Sequence, residues 1–416
     1  MKKAVIYILL LSIILTMLIS CSEDNYILPD STVYKGGECC LYNDCVYYLN
    51  EGHIEYYNIA TGLQKSICFD PLCNHTDDSC IAFCGDTGAF FSFVCEDSGG
   101  SYPIIYVSEK RDTQELNLAI ERIDVENQKS SFIIENIPNI ASQLYIYNSY
   151  LYYTAFAPVD GSDSDDYRQE AFRVNINGKE EAELISSEID SGVNLLNIED
   201  GKVYLYDDFG YLHYYDTYTN SISSYDTLFP FCKTVYDGYV YYYIDNGMQS
   251  ITEENVEVYD ILKKEYVPFQ MSVQNYSLYR MELGETDEIL IANSLKIGTS
   301  LPIYNGCAYI LPASYSYLGQ YTYYDTLYNM EMPATCYFTS NQIESVNLSN
   351  LAITNIFTNG NWEISSIYDV TDDYILFGGN NIKAQYDAAD YNNANSNIVA
   401  VLYLIKTGEF VELGHF

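Results

Sequence analysis

The chain has 416 residues, which is more than one ordinary single-core domain contains, so its length predicts two domains or one repeat architecture. Apolar residues make up 48% of the sequence, which is enough for a large core and argues against a disordered chain. The formal net charge of −39 argues against nucleic acid and anionic lipid headgroups as ligands, because both are negatively charged themselves.

Residues 1–20 have the pattern of a secretory signal peptide. Lys2 and Lys3 precede an apolar run that extends to Ile19 and stops at Ser20. An ordinary cleaved signal or an uncleaved membrane helix are the alternatives, although the run is slightly short for a membrane span. The pattern predicts export from the cytoplasm.

The end of this segment, "LISC" (18–21), resembles the lipobox of bacterial lipoproteins. The resemblance implies that the chain is cut before Cys21 and that the cysteine carries the lipid. Two acyl chains on one residue give stable membrane attachment, where a single chain is marginal. We therefore expect the protein at the cell membrane, lipid-anchored on the extracytoplasmic face. Residues 21–38 are predicted to be a polar tether, and residues 39–416 to be the folded domain.

Two patterns recur through the predicted domain. The first is a turn followed by a tyrosine-rich apolar run, and Asn-Gly or Asp-Gly in such turns is a strong hairpin signal. Its copies are 42–49, 147–154, 199–206, 236–243, 304–311 and 371–378, with a degenerate copy at 89–97. The second pattern is strand, polar turn, strand. Its copies are 53–67, 119–134, 171–185, 211–225, 256–269, 343–357 and 400–413.

Together the two patterns predict units of about four short strands at a spacing of roughly 40–50 residues, which is typical of propeller blades. No long stretch combines helical periodicity with capping signals. The sequence therefore predicts an all-β fold, a β-propeller with seven four-stranded blades. Eight blades, with a decayed one in 270–300, are one alternative, because the interval between the fifth and sixth hairpins is the longest. An array of β-sandwiches is the other.

A lipobox followed by tyrosine-rich "DGxxYY" repeats resembles bacterial surface lipoproteins that carry a TolB-like or YncE-like β-propeller. The resemblance covers nearly the whole mature chain and implies a fold and a location. Many of these proteins have no known function, so it implies no activity. The segment "DPLCNHTDDSC" (70–80) also resembles segments of such proteins from anaerobic Gram-positive bacteria.

The segment "ICFDPLCNHTDDSCIAFC" (67–84) connects the first and second predicted blades, and three interpretations of it stay open. Outside the cytoplasm a Cys73–Cys80 or Cys68–Cys84 disulfide would staple the loop. Alternatively, Cys73, His75, Cys80 and Cys84 supply the ligand types of a tetrahedral zinc site. The cysteines could also act as small apolar packing residues. With Cys21 lipidated, eleven thiols remain, so pairing within the chain leaves at least one free.

Two further segments interrupt predicted blades. In 158–170, the carboxylates of Asp160, Asp163, Asp165 and Asp166 offer oxygen ligands for calcium, although the ligand order of an EF-hand is missing. A solvated flexible insertion is the alternative there. Residues 315–333 contain six tyrosines, a residue type that suits binding loops.

Sequence motifs of common enzymes are absent: there is no G-x-S-x-G, P-loop, G-x-G-x-x-G or H-E-x-x-H. His53 and His213 open equivalent hairpin strands of two blades, which predicts repeat-position residues rather than a catalytic pair. The motifs thus favour a non-enzymatic role.

We expect a binding or scaffold module for another protein or a cell-envelope polymer, because propellers carry function in the loops at the ends of a rigid ring. The segments predicted to line the binding end are 68–88, 158–170, 270–300 and 315–333. The alternatives are a cation-dependent lyase or hydrolase acting in the central funnel, and a sensor domain paired with a signalling partner.

Overall fold

The structure is a computed structural model that describes residues 33–35, 37, 39–50, 52–75, 80–84, 92–110, 118–137, 140–158, 167–178, 181–260, 263–325, 330–384 and 399–415. The predicted signal peptide, Cys21, most of the predicted tether and the four aspartates Asp160, Asp163, Asp165 and Asp166 lie outside these residues. The described part is an all-β structure with 67% strand and almost no helix. None of the helical residues in it form a segment long and apolar enough to cross a membrane.

After a short first strand, the described strands follow one another in four-stranded antiparallel units, each a simple meander. The first strand is β1 (Val33–Lys35), and the first unit contains β2 (Cys39–Tyr42), β3 (Cys45–Asn50), β4 (His53–Asn58) and β5 (Leu63–Ser66). The second contains β6 (Phe93–Glu96), β7 (Ile104–Lys110), β8 (Leu118–Asp124) and β9 (Lys129–Ile137), and the third β10 (Ile140–Tyr147), β11 (Tyr150–Pro158), β12 (Tyr167–Asn175) and β13 (Glu183–Leu184). The fourth contains β14 (Val193–Glu199), β15 (Lys202–Asp207), β16 (Tyr211–Asp216) and β17 (Ser221–Leu228).

The later units follow the same strand order but carry long insertions, and the fifth and sixth are hydrogen-bonded to each other in one eight-stranded sheet. The fifth contains β18 (Cys232–Tyr236), β19 (Tyr239–Asp260), β20 (Glu265–Glu282) and β21 (Glu288–Lys296). The sixth contains β22 (Ile303–Tyr304), β23 (Cys307–Pro312), an inserted hairpin of β24 (Ser316–Asp325) and β25 (Met330–Phe338), and then β26 (Gln342–Asn347) and β27 (Ile353–Thr358). The last contains β28 (Trp362–Val370), β29 (Tyr374–Asn381), β30 (Val399–Leu404) and β31 (Glu409–His415).

In five of the seven units, the turn between the first and second strands follows the chemistry that the first sequence pattern predicts, whereas residues 371–373 of the last unit have no positive φ and the copy at 89–97 contains the first strand of its unit instead of the turn. In the five turns both residues have positive φ, for example 47° at Asn43 and 58° at Asp44, or 51° at Asp237 and 74° at Gly238. This is the geometry of a type I′ turn, which Asn, Asp and Gly tolerate best. The pairs 148–149, 200–201 and 305–306 have the same geometry.

The second sequence pattern forms the outer hairpin of every unit except the fifth. There, residues 256–269 lie at the tip of a long hairpin, because β19 and β20 stay paired from Tyr239–Glu282 out to Asp260–Glu265. The outer hairpin of that unit is instead β20 with β21. Apolar and polar residues alternate around a polar turn in the long hairpin as they do in an outer hairpin. The second sequence pattern therefore assigned residues 256–269 to the wrong hairpin. Residues 270–300 consequently contain strands of the fifth unit.

Apolar clusters lie between neighbouring units and show how the sheets are arranged. Five of them join successive units from the second to the last. A sixth contains Val46 of the first unit, Ile105 of the second and Leu402 of the last. Because the last sheet packs on the first, the row of sheets closes on itself and leaves no sheet face uncovered. The protein is an all-β propeller, as the sequence predicts.

The end of the predicted tether is part of the fold. β1 pairs with β10, with Val33 opposite Tyr147 and Lys35 opposite Tyr145, and it also contacts β6 and β14. First strands of several units therefore surround β1, which places it at the axis of the ring. The free edge of the first strand of a unit readily pairs with another segment, which accounts for the position of β1. The sequence pattern did not predict β1, because three residues are too few to show a periodicity.

Two charged residues face each other in this axial region. Loss of surrounding water lowers the pKa of Lys35 and raises the pKa of Asp369 on β28, while the attraction between the two opposes both shifts. Lys35 nevertheless keeps accessible surface. The region around β1 is therefore surrounded by protein without being closed to water.

The alternating strand directions give the ring two different ends. In each unit the first strand turns into the second strand at one end of the ring, which we call the turn end. The second strand leads into the third strand at the opposite end, which we call the insertion end. The β19–β20 and β24–β25 hairpins project at the insertion end. Of the segments predicted to line a binding end, the described residues of 315–333 belong there, whereas 270–300 runs along β20 and β21. Most of the predicted segment 158–170 lies outside the described residues.

Candidate metal centre

The cysteine-rich connection leaves the first unit after β5 and is held by hydrogen bonds on both sides. At its start, the Gln128 side chain donates to the carbonyl of Ile67 (2.9 Å) and accepts from the amide of Phe69 (2.8 Å). At its end, the amide of Cys84 donates to Gly52 (2.8 Å). Since Gln128 belongs to the second unit and Gly52 to the first, the described part of the loop lies across the boundary between these two units.

Four potential ligands converge inside this loop. The thiol sulfurs of Cys68, Cys73 and Cys80 and a ring nitrogen of His75 all lie within 4.8 Å of one another. Cys80 is buried, and the other three are half-buried. A tetrahedral zinc ion with Zn–S bonds of about 2.3 Å separates its ligand atoms by roughly 3.8 Å, so only a small contraction brings these atoms to ligand distance.

Backbone amides point at two of the sulfurs. The amide of His75 donates to Cys73 Sγ and the amide of Ala82 donates to Cys80 Sγ, both at 3.4 Å. In each case the donor lies two residues after the cysteine. His75 Nδ1 also lies 3.1 Å from Cys80 Sγ. N–H donors directed at sulfur favour the thiolate, the form that binds metals.

His53, the first residue of β4, connects the cluster to the ring. Its Nε2–H donates to the backbone carbonyl of His75, and its ring packs on Phe83 with centroids 5.5 Å apart. His75 has a φ of 55°, a left-handed conformation that is uncommon outside glycine. The bond from His53 helps to hold that conformation and with it the direction of the His75 ring.

Burial dominates the electrostatics of the innermost ligand. It raises the pKa of the Cys80 thiol to about 12, with further contributions from the neighbouring Cys73 and Cys68 thiols. Cys80 is therefore a neutral thiol when only protein surrounds it. A cation bound among the sulfurs would reverse this preference, because a coordinating thiol loses its proton.

A cavity of about 510 Å³ lies beside the cluster and exposes three of its ligands. It is lined by the aromatic rings of Tyr56, Phe69 and Tyr102, by Lys65, Ser66, Asp70 and Pro71, and by Cys68, Cys73 and His75. An ion from solvent can therefore reach three of the four ligand residues without unfolding of the loop.

The structure brings together most, but not all, of the predicted ligands. Cys73, His75 and Cys80 meet as predicted, while Cys68 takes the place expected for Cys84. Cys84 is held away by its backbone bond to Gly52, within the apolar cluster of the first unit. A signal for Cys68 was present in the sequence, since four residues separate Cys68 from Cys73 and four separate His75 from Cys80. Nothing in the sequence pattern indicated His53.

The predicted Cys73–Cys80 and Cys68–Cys84 disulfides do not form in the structure, where Cys68, Cys73 and Cys80 carry free thiols. A disulfide instead joins Cys40 of β2 to Cys95 of β6, the first strands of the first two units. The two strands lie side by side in the ring, so their cysteines meet, although 55 positions separate them in sequence.

The remaining histidine pair stays apart, since His53 lies in the first unit and His213 in the fourth. His213 contacts Ser224 Oγ (2.7 Å) and Asp207 Oδ2 (3.2 Å). Asp207 also accepts the backbone amides of Phe209 and Tyr211, so this group supports the β15–β16 turn. The two histidines do not occupy equivalent positions either, because His53 is the first residue of its strand and His213 the third.

Comparisons with known proteins support the fold and go no further. No family model and no curated protein match the chain. Among solved structures, it is similar to one of two prolyl endopeptidases (TM-score 0.51, 9% identity, 91% of this chain and 49% of that one). It is also similar to a puromycin hydrolase mutant complexed with PGG (TM-score 0.50, 10% identity, 92% of this chain and 54% of that one). A third match is the computationally designed Ika8 protein (TM-score 0.44, 9% identity, 93% of this chain and 88% of that one).

The chain spans about half the length of the two enzyme structures. These neighbours are β-propeller-like proteins, and at such low identity the likeness shows the fold alone. The class that fold and site define is therefore a β-propeller with a cysteine–histidine cluster between its first two units.

Proposed function

We propose that this protein is a lipid-anchored extracytoplasmic β-propeller of seven blades, which acts as a binding or scaffold module for a protein or a cell-envelope polymer. Seven meanders of four strands follow one another in the described residues, the fifth and sixth hydrogen-bonded to each other through β21 and β23, and this repetition supports the blade number. The lipobox at Cys21 supports the anchor, although it lies outside the described residues. The observation that carries the binding role is the unequal distribution of exposed aromatic rings between the two ends of the ring.

Exposed aromatic side chains concentrate at the insertion end. Beside connections from second to third strands they are Tyr167, Phe209, Tyr211, Tyr259 and Tyr266, and two more, Phe69 and Phe231, lie in connections from a fourth strand to the first strand of the next unit. At the turn end the exposed aromatic residues in the described chain are Tyr218 and Phe410. Rings of this kind supply large contact area with little loss of side-chain entropy, so exposed aromatic groups at one end mark a binding surface.

The two projecting hairpins at this end support each other. Phe269 of β20 is buried and stacks on Tyr315 with centroids 5.7 Å apart, and it also packs on Tyr317 and Tyr337 of the inserted hairpin. The hairpins therefore form one aromatic platform before any ligand arrives. A preformed surface loses less entropy on binding than a mobile loop.

The path of β1 supports an orientation relative to the membrane. Val33 lies opposite Tyr147, which directly precedes the Asn148–Ser149 turn, so the chain enters the axial region from the turn end. The segment between Cys21 and Val33 reaches at most about 40 Å when fully extended. An anchor at Cys21 would thus keep the turn end near the membrane and direct the insertion end away from it.

Photo-crosslinking in intact cells tests the binding role. A photoreactive amino acid replaces Tyr266 (66% exposed) or Phe209 (71%) at the insertion end, and Tyr218 (72%) at the turn end serves as the matched control. We expect crosslinked adducts of discrete mass from the two insertion-end positions and none from Tyr218. Adducts from Tyr218 alone, or from no position, would contradict the proposal.

Fractionation tests the anchor separately. The unchanged chain should be recovered with membranes and extracted by detergent, whereas Cys21→Ala should abolish lipid labelling and leave the protein unprocessed or released. Equal lipid labelling of both proteins would contradict lipidation at Cys21 and would leave the crosslinking result unaffected.

A further inference from the structure

We propose that Cys68, Cys73, His75 and Cys80 bind one Zn²⁺ ion in a closed, structural site that holds the loop between the first two units. The assignment is independent of the proposed binding function, because it concerns the loop between the first two units instead of the exposed aromatic rings of the third to fifth units, and it has its own measurement.

The chemistry of the four ligand atoms favours zinc over other metals. Three thiolates and one imidazole form a Cys₃His set, one of the standard tetrahedral zinc sites. Calcium and magnesium prefer oxygen ligands, and iron–sulfur clusters are usually held by four cysteines. The 4.8 Å spread of the four ligand atoms is compatible with tetrahedral coordination after small side-chain rotations.

The geometry of the four ligand atoms also favours a structural role of the zinc ion over a catalytic one. A catalytic zinc site keeps one position open for water, whereas here four protein atoms already converge on one point. A hydrolytic reaction at this ion would need one of them to leave. The site therefore links parts of the chain instead of activating a substrate.

A disulfide or simple packing accounts for fewer of the observations. A disulfide would join two sulfurs and leave the third sulfur and the His75 ring without a role. Packing does not account for half-buried cysteines in a loop without strands, nor for amides directed at the sulfurs of Cys73 and Cys80. Coordination of one cation uses all four groups and both amides together.

The surroundings have the features of a second coordination shell. His53 fixes the backbone of His75 through its carbonyl, so it acts as a positioning residue instead of a ligand. Binding of Zn²⁺ replaces the thiol protons, which pass to solvent, and leaves a site of net charge −1 with three thiolates and a neutral imidazole. The adjacent cavity gives solvent and ion access to the ligands.

Metal content of the purified, full-length mature protein is the first test. After exhaustive removal of loosely bound ions, elemental analysis should find about one zinc ion per chain. Cys73→Ser should lower this at least tenfold. Cys307→Ser, which changes another half-buried free thiol in the sixth unit, should leave it unchanged.

Two further measurements keep the test valid if Cys73→Ser fails to fold. Replacement of zinc by Co²⁺ in the unchanged protein should give the thiolate-to-cobalt charge-transfer band and the intense visible bands of a tetrahedral site. His75→Cys should retain the metal, because a Cys₄ set is also tetrahedral. His53→Ala should weaken the affinity about tenfold without changing the number of ions bound.

Each possible result of these measurements either supports or contradicts the zinc site. Stoichiometric zinc that depends on Cys73 and a tetrahedral cobalt spectrum support the site. Metal-free wild-type protein after growth with zinc, zinc retained in Cys73→Ser, or a disulfide among Cys68, Cys73 and Cys80 in a non-reducing peptide map would each overturn it.

Discussion

Two boundaries between neighbouring sheets use different chemistry to hold the ring together. Between the first and second units, the apolar cluster contains Cys39, Cys40, Cys45, Cys84 and Cys95, and the Cys40–Cys95 disulfide crosses the boundary. We call this the sulfur junction. The cluster between the third and fourth units has tyrosines too, Tyr145, Tyr147, Tyr152 and Tyr215, but its described residues include no cysteine, and we call it the tyrosine junction.

The difference lies in what sets the relative position of the sheets. A buried tyrosine hydroxyl requires a partner, and Tyr145 donates to the carbonyl of Leu196 at 2.7 Å across the tyrosine junction. Each such bond specifies one alignment of the two sheets. Thiols make weak hydrogen bonds and pack like small apolar groups, so at the sulfur junction a covalent bond supplies the alignment. This junction also carries the loop with the proposed zinc site, which needs a fixed base.

Loss of the disulfide should give the largest effect. The double substitution Cys40→Ala and Cys95→Ala opens a loop with a sequence separation of 55 and should lower the free energy of unfolding by about 4 kcal/mol. Guanidinium unfolding without reductant measures this. Cys307→Ala is the control, and a reductant should destabilise that control but not the double variant. A loss in the double variant no larger than that in Cys307→Ala would show that the sulfur junction does not depend on its covalent bond.

Removal of Arg173 should have the next largest effect, at the tyrosine junction. Its guanidinium lies 4.7 Å from the centroid of the Tyr150 ring and 5.2 Å from that of the Tyr215 ring, and it pairs with Glu183 at 2.7 Å. We expect Arg173→Ala to cost about 2–3 kcal/mol, and Arg173→Lys to recover only part of it because the planar stacking is lost.

Lys406→Ala provides the control for Arg173. Lys406 pairs with Asp373 at 2.5 Å, but its side chain is largely exposed, so its loss should leave the free energy of unfolding unchanged in the same experiment. Equal losses for the two alanine variants would mean that the rings around Arg173 contribute nothing beyond a surface ion pair.

A matched pair of hydroxyl deletions should sharpen the comparison further. Tyr145→Phe leaves the buried Leu196 carbonyl without this donor and should cost about 1–2 kcal/mol. Tyr47 is also fully buried, at the sulfur junction, but among the described residues its hydroxyl has no hydrogen-bond partner. Tyr47→Phe should therefore be neutral or stabilising, and a similar loss in both variants would contradict the contrast between the junctions.

Sequence reasoning could predict what depends on local patterns. The type I′ turns, such as Asp237–Gly238, and the alternation of their flanking strands are local, and both the strand order and the all-β propeller follow from them. Placement of residues 256–269 failed because a long hairpin has the same local pattern as an outer one.

Side-chain partners across the ring depend on distances that no local pattern contains. The Cys40–Cys95 bond arises only because the first strands of two units lie side by side. In the cysteine-rich loop the ligand types were predictable from composition. The choice of Cys68 over Cys84 was not, because it depends on the backbone bond that holds Cys84 against Gly52.

The smallest expected effect comes from two glycines in equivalent turns. Gly201 and Gly238 have φ of 75° and 74°, so alanine at either position should cost about 1 kcal/mol from backbone strain. A Cβ at Gly238 meets nothing within 4 Å, whereas at Gly201 it would lie 2.2 Å from the Tyr218 ring. Tyr218 is exposed and can rotate away, but it then loses the contact of its hydroxyl with that of Tyr147 (3.4 Å) across the tyrosine junction.

The difference between Gly201→Ala and Gly238→Ala in thermal unfolding therefore measures what that contact contributes. We expect Gly201→Ala to lose a few tenths of a kcal/mol more, since a hydroxyl pair near the surface is weak. The extra loss should disappear when both glycine variants are made in a Tyr218→Ala background, because no ring is then displaced. If it persisted there, the strain would lie in the turn itself, and the outer part of the tyrosine junction would not contribute to the alignment of the two sheets.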